Sequence, residues 1–233
     1  MDSPEARLKL LERKISQQIP RFRVGWKDTT LWQRIIGALV FFNRSYMIDY
    51  VSTFYPVVYW PTEDAYKSNP WESFKILSHE YVHLDDARKQ RLWFPFSYIM
   101  PHWLVLCASL AVFAIWFSNW WLIALAALLF GCPIPAVWRM NWELRGYTMS
   151  MAIDAWKYGS IQPSTVDWIS KQFTGPDYYF MWPFREGIRR KLEQAQVDIH
   201  NGNVVMYGVP FKHVKEIMDM SDDAVVNAAR GLK

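Results

Sequence analysis

A chain of 233 residues with 52% hydrophobic composition can bury one substantial core, or one domain plus membrane segments. Its net charge of +4 is mild and no basic cluster forms a recognisable module, which ranks a nucleic-acid binder low and leaves anionic lipid as the simplest partner for the excess Lys and Arg. The two cysteines, Cys107 and Cys132, lack metal-ligand spacing, which excludes a disulfide framework and suggests free, buried thiols.

Met1–Gln18 is charged and helix-prone, without the apolar core of a secretory signal. Leu8, Leu10, Leu11 and Ile15 give it a weak apolar face, expected on an ordinary solvated helix, with an interfacial membrane helix as the alternative. Pro20–Lys27 reads as a linker. Asp28 or Thr29 then caps a helix through Leu31, Ile35, Ile36, Leu39 and Val40, ending near Asn43. Tyr46–Trp60 favours strands, with a bend or edge at Pro56. Pro61–Asn69 reads as a polar loop.

Asn69 and Pro70 then form an N-cap and first helical residue, followed by Trp71, Phe74, Ile76, Leu77 and Leu84 at roughly helical spacing. Inside this helix lies His79-Glu80-Tyr81-Val82-His83, an HExxH motif. One turn separates His79 from His83, so both imidazoles share a face and can ligate one Zn²⁺, with Glu80 beside the metal's water. The motif points to metal-assisted hydrolysis.

From Trp93 to Trp138 there is no Asp, Glu, Lys or Arg. That length suits two passes of roughly 20 residues each through a membrane. The expected arms run from Tyr98 to Phe117 and from Trp120 to Val137, turning at Ser118-Asn119. Arg88, Lys89 and Arg91 before the run, and Arg139 and Arg145 after it, place both ends on the cytoplasmic side. The abundant aromatics (14 Trp, 12 Tyr, 14 Phe) suit a membrane–water interface. The alternative is a hairpin buried against an assembly partner.

Trp138–Lys157 again reads as helix, stopped by Gly159. Pro163–Phe173 follows as a short helix, Thr174-Gly175-Pro176-Asp177 as a turn, and Phe184–His200 as a basic amphipathic helix. Asn201-Gly202-Asn203 turns the chain into a short strand at Val204–Val209. Pro210–Lys233 supplies one or two small helices. The fold class is therefore mainly α with a small β element. Its expected divisions are an N-terminal helix and linker (1–27), a half carrying the motif helix (28–97), the apolar hairpin (98–137) and a C-terminal helical part (138–233).

A catalytic zinc needs a third protein ligand. Glu143 is the best candidate, because folding the hairpin back brings its helix near the motif helix. An ordinary ion pair with Arg139 or Arg145 is its other role. Asp86 shares a face with His79 but cannot easily close a tetrahedron from one straight helix. It and Asp85 suit an outer acceptor or a solvated position. His102, His200 and His213 have no supporting spacing, and His102 beside Pro101 suits an interface.

HExxH, an apolar hairpin and a Glu-bearing helix together resemble the Glu-type zinc metallopeptidases (gluzincins), in particular the membrane-bound CAAX-prenyl and heat-shock zinc endopeptidases. Small phage-encoded or bacterial peptidase-like proteins share the HExxH layout. The likeness covers roughly Tyr55–Gly159 and matches at His79, Glu80, His83 and Glu143. It departs at Tyr147, where the family has an acidic residue one turn after the Glu. The resemblance implies a zincin-like helical core in which His79, His83 and Glu143 hold Zn²⁺. It also implies that Glu80 activates the zinc-bound water. The expected donor to the developing oxyanion is Tyr147, from its place one turn after Glu143, ahead of Arg145. The implied substrate is a peptide or protein, cleaved at a membrane. It also raises Val57–Trp60 as a substrate-binding strand, although a core strand is the preferred reading. The rival function is non-enzymatic: a membrane-associated structural or assembly protein, for instance of a virion or secretion apparatus, with a structural or vestigial zinc site.

Overall fold

The computed structural model describes residues 3–40, 45–132, 134–175, 178 and 180–231. In chain order the elements are α1 (Ser3–Gln18), β1 (Arg23–Trp26), α2 (Leu31–Leu39), α3 (Ser45–Ile48), β2 (Ser52–Phe54), β3 (Val57–Trp60), α4 (Glu63–Ser68), α5 (Pro70–Gln90) and α6 (Trp93–Ile99). Two 3₁₀ arms follow, His102–Ile115 and Asn119–Gly131, and then α7 (Val137–Tyr158), α8 (Pro163–Thr174), α9 (Arg185–His200), α10 (Val209–Asp219) and α11 (Asp222–Arg230). The fold is mainly α with a small β element, as the sequence implies.

α5 is the spine. The Asn69 side chain accepts the Glu72 N–H at 3.2 Å, Pro70 sits in the first turn, and Arg88 and Lys89 face the negative end of the helix dipole. Phe74, Leu77, Tyr81 and Leu84 are fully buried along it. α7 packs beside α5 and stops where Gly159 turns left-handed (φ 76°) and returns its N–H to Ala155. α1 and α10 pack on α5, and α9 packs on α7 and α8.

The sheet has the order β1-β3-β2, with β3 parallel to β1 and antiparallel to β2. All four residues of β3 are buried, so Val57–Trp60 is the central core strand, and β2 is an edge.

Several local expectations are corrected. α1 is not a solvated helix: Leu8, Leu10, Leu11 and Ile15 are buried against α5, α10 and α11. Its apolar face reads as weak in sequence because Arg7 is buried too, donating to the Ile217 and Met220 carbonyls and to Asp222. Pro20–Lys27 is no linker, since β1 lies in it and gains its ladder from a strand more than thirty residues away. Residues 45–48 form α3 rather than strand. Pro61–Asn69 contains α4, capped by the Thr62 hydroxyl accepting from Ala65 N–H at 3.1 Å. The strand at Val204–Val209 is instead a 3₁₀ turn over Asn203–Tyr207 that leads into α10. The end near Asn43 and the Pro176-Asp177 part of the turn lie outside the described residues.

The apolar hairpin forms, but not as two α-helices. The first arm begins only at His102, because Pro101 has no N–H to donate and holds Met100 extended. No single helix among the described residues is long and apolar enough to cross a membrane. α6 and the first arm reach that length only together, and they bend by 80° between them. The arms pack chiefly on each other. Ile115, Trp120, Ile123 and Leu129 are exposed on them, and Trp116 and Phe117 in the turn between. Cys132 is exposed and Cys107 half-buried, both free, so neither is the buried thiol expected.

Candidate metal centre

His79 and His83 project from the buried face of α5, and Glu143 from α7 beside it. Their Nε2 atoms stand 3.1 Å apart, and Glu143 Oε2 lies 3.6 Å from His79 and 3.9 Å from His83. Zinc ligands about 2.0–2.1 Å from the ion at tetrahedral corners are separated by about 3.3–3.4 Å, so this triangle fits one small divalent cation. Glu143 is only 2% exposed, and its Oε2 has no hydrogen-bond partner among the described residues. A buried carboxylate oxygen left unsatisfied is costly, and a cation between the imidazoles satisfies it. These three form a group able to hold a metal ion.

The surroundings set the charges. Burial pushes the Glu143 carboxyl up, but His79, His83 and Arg139 outweigh it and hold the pKa at about 2, leaving an anion. Burial lowers His83 toward the neutral form that ligates. Burial acts likewise on His79, but Glu143 and Glu80 outweigh it and raise this pKa. Tyr98 donates its hydroxyl to Glu143 Oε1, which aims the other oxygen at the histidines.

Gly146, one turn after Glu143, is a necessity of packing. A Cβ there would lie 2.5 Å from His79 Nε2, so only glycine lets α7 approach the ring this closely. Tyr147 stacks edge-on against His79 with centroids 5.1 Å apart, and its hydroxyl donates to Tyr178 at 3.1 Å. Tyr50 and Tyr178 line both adjoining cavities with His79 and Glu80, and Tyr147 lines the smaller one.

Thr53, on β2, donates to Glu80 Oε2 at 2.6 Å. Cavities of about 580 and 840 Å³ meet at Tyr50, Val51, His79, Glu80 and Tyr178. His83 and Glu143 open onto the larger one, as does the edge strand β2.

The other expectations resolve plainly. Asp86 is neither solvated nor bonded to a histidine, since it is buried and paired with Arg145. His83 Nδ1 has no hydrogen-bond partner among the described residues. Asp85 is buried between Arg88 and Lys89. His213 bonds the Tyr81 hydroxyl at 2.9 Å, His200 ends α9, and His102 opens the first arm; none joins the triangle. Thr53, Tyr98, Gly146 and Tyr178 were missed. Only Gly146 left a trace, as a glycine inside a helical pattern. No family model, curated protein or solved structure matches this chain.

Proposed function

We propose that the protein is a membrane-associated zinc metalloendopeptidase of the gluzincin type. The observation that carries this is the shared cavity: His79, His83, Glu143 and Glu80 all line one space large enough for a peptide segment. A structural zinc would be closed off by a fourth side chain, whereas this cluster faces a cleft.

Zinc on the three ligands would act as a Lewis acid and lower the pKa of its bound water to about 7. Glu80, fixed by Thr53, takes a proton from the attacking water and delivers it to the leaving amine. Tyr178, whose oxygen accepts from Tyr147, keeps its own O–H to donate to the carbonyl oxygen as charge develops. On this reading Tyr147 orients Tyr178. β2 offers an edge for backbone hydrogen bonds to an extended substrate. The charge-free hairpin with its exposed aromatics supplies the membrane contact.

The test is Glu80→Gln, assayed on a mixed peptide library by mass spectrometry. Cleavage should fall by roughly 10²–10⁴-fold with the zinc content unchanged. Full activity in this variant would remove Glu80 as the base.

A further inference from the structure

We infer that the exposed face of α2 is a second lipid-docking surface, which sets the mouth of the larger cavity against the bilayer. This rests on the membrane reading of the hairpin given above, and extends it to an element remote in sequence.

α2 is built inside out. Its one buried residue is polar: Gln33, whose carbonyl accepts the Tyr46 hydroxyl at 2.6 Å. Its apolar residues face outward, with Leu31 70%, Ile35 52% and Leu39 71% exposed. Spaced four apart, they form one stripe along the helix. An amphipathic helix normally buries such a stripe, so one held open by a buried polar contact is available to an apolar medium.

The charges nearby select the medium. α2 itself carries Arg34 and no acidic residue. Apolar side chains with only positive charge among them suit an anionic lipid surface.

Contacts carry this stripe to the cavity mouth. Trp32 packs edge-on against Phe54 with centroids 4.7 Å apart. Phe54 and Tyr55 are exposed and line the larger cavity on the β2 side. Ile99, also exposed, lines it on the α6 side, where the chain enters the hairpin. Apolar surface thus flanks the opening on both sides. A bilayer that takes up the hairpin at Ile99 would cover both lips at once.

The experiment places an environment-sensitive fluorophore at Leu39→Cys in the full chain with Cys107→Ser and Cys132→Ser. The protein is reconstituted in phosphatidylcholine vesicles with or without phosphatidylglycerol, with spin-labelled lipid as quencher. Leu31→Cys repeats the measurement on the same stripe. Trp120→Cys reports the hairpin, and Glu193→Cys is an exposed control on α9. Leu39 and Leu31 labels should be quenched at least twofold more than the Glu193 label, and Arg34→Glu should weaken this in phosphatidylglycerol vesicles. Quenching at Trp120 without quenching at Leu39 and Leu31 overturns the α2 inference alone. Absence of quenching at all three overturns the membrane reading with it. Shielding of the Leu39 label that rises with protein concentration at fixed detergent, in step with dimerisation on size-exclusion chromatography, would show a second copy on this face and overturn the lipid assignment.

Discussion

At Glu143 two demands meet: a buried carboxylate must be compensated, and the groups that compensate it are two imidazoles that each present Nε2. Tyr98 satisfies one oxygen and leaves the other for a cation. Gly146 serves the same geometry by omission of a side chain. Gly146→Ala would set a methyl 2.5 Å from His79 Nε2 and displace the ring. Zinc affinity, measured by chelator competition, should fall by roughly 10–100-fold, comparable to loss of a supporting residue. Unchanged affinity would mean that His79 is not a ligand in this rotamer. The motif itself was plain in the sequence because its spacing is local. Tyr98, Thr53 and Tyr178 were not, because their roles depend on contacts between elements far apart in the chain.

At the scale of elements, the site depends on α5 being held straight and in register beside α7. The α5 N-terminus is closed by Asn69, so Asn69→Ala should destabilise the protein by about 1 kcal/mol in urea unfolding. A loss below about 0.3 kcal/mol would show that Pro70 alone sets this end. Elements with strong punctuation were legible: α5 between its cap and basic last turn, α7 up to Gly159, α9 before Asn201-Gly202. Those decided by tertiary partners were not. β1 is four residues whose pairing comes from β3, and the buried face of α1 includes an arginine satisfied by α10 and α11 and the turn between them. The hairpin was legible by composition, but its 3₁₀ arms and the bend before Pro101 were not, since long apolar runs carry no phase information.

Across the whole molecule, one buried cation ties the sheet to the wall of the cleft. Lys27 donates to the Tyr46 and Tyr50 carbonyls at 2.6 and 2.8 Å, and burial lowers its pKa to about 8, against a raising effect of Glu80. The unfolded chain keeps this proton up to about pH 10.4, so between about pH 8 and pH 10 the unfolded state binds more protons and stability rises with pH. Lys27→Met should remove that slope, as read by urea unfolding across the window, and an identical slope in the variant would assign it elsewhere. A cation held between α5 and α7 underlies every role assigned to the site. The direct measurement is zinc content of detergent-purified protein, wild type beside Glu143→Ala. About one zinc per chain is expected in the wild type and little in the variant. A wild type that binds no zinc when it is supplied, or a variant that keeps its full complement, would contradict it.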